Sequence, residues 1–381
     1  MGFSLNDDDR EFARWVDERA AAIGTPHPET AGRVDRPLLL RLADLGLLPA
    51  LLPGTGGTGG TAHGGGPPRE ASATRLCLLR ERLARVDTHA ETALALQGLG
   101  TYPVLQSGTE RQRRRWIPLA ASGEAVAAFA LSEPDAGSDA AALALRADPV
   151  GDGWRLRGEK TWISNAPDAD FYTVFARTTP GTRSRGVTAF LLPADRPGLD
   201  GTPLDMLSPH ALGHLVFDGV PVGPEDVIGR PDHGFSVAMR TLDLFRPSVG
   251  AFAVGMAGAA LAAAREHTGR RRAFGGPLDG LQTVAHTLAE MATRTEAARL
   301  LVYSAAEEYD TGGGDVTVRS AMAKLLATET AQYVVDAAVQ LHGARALRRG
   351  HLLEHLYREV RAPRIYEGAS EVQRQIIARH M

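Results

Sequence analysis

The sequence predicts a mostly helical α+β protein in three consecutive parts. These are an N-terminal helical domain over 1–124, a middle antiparallel β-barrel or sandwich domain over 125–234, and a C-terminal four-helix bundle over 235–381. Three observations predict it. Apolar residues recur at three-to-four spacing at both ends of the chain, the pattern of helices with one buried face. Short runs rich in β-branched and aromatic residues, punctuated by Gly, Pro and Asp, fill the middle. No stretch of crossover-helix length separates those runs, so their strands should pair antiparallel rather than through βαβ units.

In chain order, the spacing predicts helices over 7–22, 36–48 and 73–85. Between the last two, Gly54 to Gly66 holds eight glycines in thirteen residues and is closed by Pro67 and Pro68, which predicts a mobile loop. Its segment Gly54 to Gly59 matches the glycine spacing of a dinucleotide loop. A leucine-rich helical stretch precedes it where that motif needs a strand, so the match is read as a linker. The β runs are 154–157, 160–164, 171–176 and 186–192. Beyond Gly234, Val284, Leu288, Met291, Thr295, Ala298 and Val302 form a single helical stripe that Gly312 to Gly314 stops. Met322, Leu325, Leu326, Val334, Val335, Ala338 and Leu341 form another, ending at Gly343, and long alanine-rich helices with short turns suggest a bundle.

Composition narrows the function classes. Of 381 residues, 44% are apolar and 23% charged, with a net charge of −3, which fits a folded protein without a global field for nucleic acid or anionic membrane. The 42 basic residues are Arg except for Lys160 and Lys324. A single cysteine, Cys77, excludes an intrachain disulfide framework and a multi-cysteine metal site. His286, His342, His351 and His355 lack companions at ligand spacing, so no metal is expected. Arg111 to Arg115 is read as a solvated helix face. No segment reaches the roughly 20 apolar residues of a membrane helix. The N-terminus is acidic and lacks the plan of a secretory signal, so a cytoplasmic protein is expected. No nucleophile elbow is present.

Three stretches carry features that packing alone does not demand. Phe129-Ala-Leu-Ser-Glu-Pro-Asp-Ala-Gly-Ser-Asp139 opens as a strand and breaks into a loop of small residues, hydroxyls and backbone N–H groups. Such a loop can wrap a polar ring edge or a phosphate, or simply be an acidic surface turn. In Gly158-Glu-Lys-Thr-Trp-Ile-Ser-Asn165, strand alternation puts Lys160, Trp162 and Ser164 on one face, where Trp162 can shield an aromatic cofactor or fill a sheet core. In Arg364-Ile-Tyr-Glu-Gly-Ala-Ser-Glu-Val-Gln-Arg374, Glu367 sits at a glycine break before a last helix over 371–379 that Ser370 is placed to cap. Buried there, its carboxyl would have a raised pKa and could act as a base; exposed, it is a surface-loop glutamate.

In this order and at these separations, the three stretches resemble the acyl-CoA dehydrogenase family. Ser132 to Asp139 is similar to its first signature and Gly158 to Asn165 to its flavin-facing strand. Arg246-Pro247, Arg271 to Gly275 with Gln282, and Ile365 to Gly368 match further motifs. The similarity runs from about residue 100 to the end. It implies an acyl-CoA dehydrogenase-like fold, FAD as cofactor, and conversion of an acyl thioester to its trans-2-enoyl thioester. Glu367 is implied as the base for the α-proton and flavin N5 as hydride acceptor, with the Glu367 backbone N–H helping to polarise the thioester carbonyl.

The resemblance also implies residue roles. Phe129, Leu131, Ser132, Gly137, Ser138, Trp162 and Ser164 would hold the flavin. Arg271, Phe274 and Gln282 would hold its diphosphate and adenine across a subunit interface, with Gln340, Gly343 and Glu371 as further cofactor contacts. Ser138, Asp243, Arg246, Tyr366 and Gly368 would lie on the substrate side. Two positions depart from the family pattern: Ala344 stands where a second glycine is usual, and Ala369 where a threonine is. The implied partners are an acyl thioester of CoA or of an acyl carrier protein, an electron-transfer flavoprotein or oxygen as acceptor, and further copies of the chain in a dimer or tetramer. Nucleic acid and membrane are not among them. A dehydrogenase or oxidase acting on a carrier-tethered acyl group, a flavin monooxygenase on the same scaffold, and a non-catalytic helical protein remain as alternatives.

Overall fold

The computed structural model describes residues 5–24, 32–52, 71–208 and 210–381. The glycine-rich stretch Gly54 to Gly66 lies outside the described residues. Long-range contacts divide the chain into two units that are not consecutive in sequence. Unit one is Met1–Pro26, Ser72–Glu91 and Asp243–Met381; unit two is His27–Ala71 and Thr92–Leu242.

Unit one is helical. It contains α1 (Asp7–Ile23), α4 (Ala73–Ala84), the start of α5 (Thr88–Ser107), α7 (Gly234–Arg270) from Asp243 onward, α8 (Gln282–Asp310), α9 (Val316–His342), α10 (Leu352–Glu359) and α11 (Ser370–Arg379). Starts are set by side chains. Asn6 accepts from the Asp9 N–H at 2.8 Å to cap α1. Asp310 accepts from Ser72 Oγ and from the N–H groups of Ala73 and Thr74, satisfying donors the first turn of α4 leaves unpaired.

The stripe on α8 is buried from Met291 onward through Thr295, Ala298 and Val302. On α9 the inner face is made of smaller residues than the sequence suggested. Ala321, Ala327, Ala331, Val334, Val335 and Ala338 are buried while Leu326 is 40% exposed, because alanine lets α8 and α9 approach closely. Ser370 is the first residue of α11 rather than its cap, and its hydroxyl donates to Glu329 at 2.7 Å. Within α7, an eighteen-residue window of mean hydropathy 1.5 is apolar enough for a membrane span, contrary to the sequence expectation, yet 78% of it is buried inside the protein.

Unit two places α2 (Arg36–Asp44), α3 (Leu47–Leu51), the rest of α5 and α6 (Glu110–Ala121) with an eight-stranded sheet. The single helix predicted over 36–48 is broken at Gly46, whose φ of +77° ends one helix and starts the next. The strands are β1 (Ala127–Ala130), β2 (Arg146–Val150), β3 (Gly153–Ser164), β4 (Phe171–Arg177), β5 (Val187–Pro193), β6 (Leu199–Pro203), β7 (Leu212–Val222) and β8 (Val227–Ile228). Their order is β6-β7-β3-β2-β4-β5-β8, with β1 also on β4. The ladders are antiparallel except the two that β4 makes with β1 and β2. The runs 154–157 and 160–164 are one twelve-residue strand. Buried Gln97 on α5 donates to the carbonyls of Ala120 and Ala125 and accepts from the Ala127 N–H, fixing where β1 begins. Trp116 of α6 packs on Phe171 of β4 with ring centroids 4.6 Å apart.

Candidate active site

In unit one, the turn Tyr366–Gly368 joins a short 3-10 segment to α11. Glu367 and Gly368 both take left-handed backbone angles, φ +52° and +95°. A non-glycine residue in that region costs conformational energy, and such strain gathers where a side chain must be aimed. At 368 the φ of +95° favours glycine, and a Cβ there would also meet Gln373 Nε2 at 2.5 Å. The turn is held from three sides. Lys324 Nζ donates to the Gly368 carbonyl at 2.7 Å and Gln373 Nε2 to the same oxygen at 2.8 Å. Arg246 Nε donates to the Glu367 carbonyl at 3.4 Å.

The Glu367 residue is half-buried, and its Oε2 is enclosed without a hydrogen-bond partner among the described residues. Burial raises its pKa above the ordinary 4.5, opposed by the charges of Arg80, Lys324 and Arg246. Two of these cations carry their own carboxylates. Arg80 pairs with Glu91, both fully buried, and gives Nη1 to Ser248 Oγ at 2.9 Å. Arg246 pairs with Asp243 one turn earlier on α7 at 3.1 Å, and Thr317 donates to Asp243 at 3.3 Å. Asp243, Arg246, Tyr366, Glu367 and Gly368 are therefore brought together as the sequence implied. Arg80, Glu91 and Lys324 complete the cluster without having been singled out for it. The only signal for Lys324 was its rarity in an arginine-rich chain.

In unit two, the loop after β1 and the end of β3 are stitched together. Lys160 Nζ donates to the Leu131 carbonyl at 2.8 Å and to Glu133 Oε1 at 2.7 Å, and the Thr161 N–H donates to the Ser132 carbonyl at 3.1 Å. Glu133 also accepts from the Leu145 N–H at 2.9 Å. The expectation that Lys160 and Trp162 share a face is corrected. The ladder of β3 with β7 shifts register between Lys160 and Ile163, and Trp162 has φ +59°. This bulge buries Lys160 completely and leaves Trp162 53% exposed, with Ser164 half-buried after it. Asn165, also left-handed, donates Nδ2 to the Ala127 carbonyl at 2.8 Å and locks the strand end to β1. Phe129 packs on Phe175 at 4.9 Å, Leu131 is buried, and Gly137 and Ser138 are exposed.

The remaining expected cofactor residues lie on the surface of unit one. Phe274 and Gly275 form the two-residue turn of a hairpin between β9 (Arg272–Ala273) and β10 (Gly276–Pro277), both with positive φ, and Phe274 is 89% exposed. Arg271 and Gln282 flank this hairpin and are exposed, as are Gln340 and Gly343 at the end of α9 and Glu371 in the first turn of α11. Among the described residues, none of these seven hydrogen-bonds to Glu367. His342 stacks on His267 at 4.2 Å and meets His351 edge-on at 5.5 Å.

These residues fit a flavin. In unit two, Trp162 offers an aromatic face next to the stitched Leu131–Ser132 backbone, and Ser132 and Ser164 offer hydroxyls; on unit one, taken by itself, Arg271 offers an exposed guanidinium suited to phosphate.

Comparison with known proteins gives the same direction. The family models for the N-terminal, middle and C-terminal domains of acyl-CoA dehydrogenase match residues 6–124, 128–220 and 232–381. A probable acyl-CoA dehydrogenase, FadE25 of Mycobacterium tuberculosis, is 37% identical over 318 residues, 83% of this chain and 81% of that protein. The mitochondrial short-chain specific acyl-CoA dehydrogenase of Rattus norvegicus is 40% identical over 282 residues, 73% of this chain and 68% of that one. The solved structure of butyryl-CoA dehydrogenase from Megasphaera elsdenii superposes with a TM-score of 0.90 at 32% identity, covering 100% of this chain and 99% of that one. The chain belongs to the acyl-CoA dehydrogenase family, whose members carry a flavin.

Proposed function

We propose that the protein is an FAD-dependent acyl-CoA dehydrogenase, converting an acyl-CoA to its trans-2-enoyl-CoA and handing the electrons to an electron-transfer flavoprotein. The observation that carries this reading is the Glu367 carboxylate, fixed in a left-handed turn with Oε2 enclosed and unpartnered. A carboxylate so desolvated binds a proton more readily than one in water, which is what abstraction of an α-proton needs. FAD, when bound, supplies the acceptor for the hydride leaving the β-carbon. Arg246 and Lys324 hold the turn by its carbonyls, so the carboxylate is aimed without rearrangement. By the resemblance, the Glu367 backbone N–H would polarise the thioester carbonyl, and Trp162, Ser132 and Ser164 would hold the ring. Arg271 and Phe274, exposed within one chain, are assigned to the FAD of a neighbouring copy in a dimer or tetramer.

The test is the visible spectrum of the purified protein under anaerobic conditions, before and after adding straight, branched and aromatic acyl-CoA thioesters one at a time. The reading expects flavin bands that bleach with at least one CoA thioester. A protein without flavin would overturn it. Bleaching only by the same acyl groups on a carrier protein would replace the CoA substrate with a tethered one.

A further inference from the structure

The chain uses Arg for its basic residues at every position but two, and both lysines, Lys160 and Lys324, are 0% exposed. They differ in their partners. Lys160 has a carboxylate of its own, Glu133 at 2.7 Å. Lys324 has none at ion-pair distance among the described residues; its ammonium rests on the Gly368 carbonyl at 2.7 Å. The charged groups facing it are Glu367, Arg246, Glu329 and Glu371. Glu329 is already taken by Arg364 at 2.9 Å and by Ser370, and Glu371, exposed, by Arg374 at 3.5 Å.

From the side of Glu367, the cations are Arg80 on α4, Arg246 on α7 and Lys324 on α9. Arg80, the strongest of the three at Glu367, is paired with Glu91, and Arg246 with Asp243. Lys324 reaches it as an uncompensated charge. A lysine also suits the geometry. One carbonyl accepts there, which leaves fewer donors unpaired on a three-donor ammonium than on a five-donor guanidinium.

We propose that Lys324 is a positioning residue for Glu367: its buried ammonium locks the left-handed turn through the Gly368 carbonyl and keeps the carboxylate ionised, ready to take a proton. This rests on the reading of Glu367 as the base. It is consistent with the two titrations working against each other. Burial pulls Lys324 down to about 8, and the charge of Glu367 pushes it back up. Such coupling is reciprocal, so whatever Lys324 does to Glu367, Glu367 does equally to Lys324.

Two experiments test it. In the holoenzyme, Lys324→Gln and Lys324→Met should move the acid limb of the kcat/KM–pH profile up by about one pH unit or more, with Lys324→Arg bringing it part of the way back. An unmoved limb with scaled-down turnover would mean that the ammonium only supports the turn, and the proposal fails. Should those variants not fold, the native chain labelled with ε-carbon-13 lysine gives two side-chain signals. In Glu367→Gln one midpoint should fall by about one unit while the other stays; two unmoved midpoints overturn the proposal. If Glu367→Gln keeps its turnover, the base assignment fails separately, whatever the lysine signals do.

Discussion

Replacing Arg80 by Met probes the buried charge cluster most sharply. Arg80 is 4% exposed and Glu91 0%, so the substitution leaves a carboxylate buried without its ion-pair partner. Losing one member of such a pair costs about 3–5 kcal/mol. Glu91 has further contacts that soften the loss, which argues for the lower end. For a folding unit of this size, about 3 kcal/mol corresponds to a fall in Tm of roughly 6–12 °C. The double variant Arg80→Met with Glu91→Leu removes both charges and should recover most of that loss, since the penalty lies in the orphaned charge rather than in the missing pair. The acid limb of activity reports the same physics. Arg80 is the first of the charges holding Glu367 down, so Arg80→Met should move the limb to higher pH. Thermal melts and kcat/KM–pH profiles of the three proteins decide it. A single variant melting within a degree of the parent, or a double variant no better than the single, would refute the argument.

Three further outcomes follow from other contacts. In Gly255→Ala the new Cβ would lie 2.5 Å from the Glu81 carbonyl and 2.6 Å from Ala84 Cβ, prising α4 from α7. The variant should lose about 1–3 kcal/mol in a denaturant melt although alanine is the better helix former, and a neutral result would mean that the helices shift freely. Lys160→Met strands Glu133 and loosens the Leu131–Ser132 backbone, so it should shed flavin during gel filtration; full retention would deny that stitch a role in holding the cofactor. Glu367 has a raised pKa when folded, so the native state holds its proton more tightly than the unfolded chain does. Stability from this group is complete below its ordinary 4.5 and lost as pH rises through the folded value. Glu367→Gln should therefore gain Tm over the parent at pH 8 and lose that advantage at pH 4, and a constant difference across that range would contradict the sign.

Periodicity made the long helices legible because a stripe such as Met291, Thr295, Ala298 and Val302 is buried as a stripe. It misjudged α9, where alanines carry the contact and the larger Leu326 is left outside. Motif order led to Glu367, in the turn before α11, and to Asp243 and Arg246, one turn apart within α7. It was silent on Arg80 and Glu91, which look like ordinary helix-surface residues until a neighbouring helix buries them. Strict alternation failed at Lys160 and Trp162 because one bulge turns the chain over, and nothing in the local spacing announces a bulge. The parallel pairing of β1 with β4 was likewise invisible, being set by where α5 and α6 deliver the strand rather than by its own residues.

The measurement that tests the central claim most directly is anaerobic single-turnover reduction of the bound flavin by a saturated acyl-CoA, in the parent and in Glu367→Gln. The account predicts a variant with an unchanged flavin spectrum whose reduction is slower by about 10²–10⁴-fold, the usual contribution of a positioned general base. Reduction within about tenfold of the parent would remove Glu367 from proton abstraction and with it the mechanism proposed for this site.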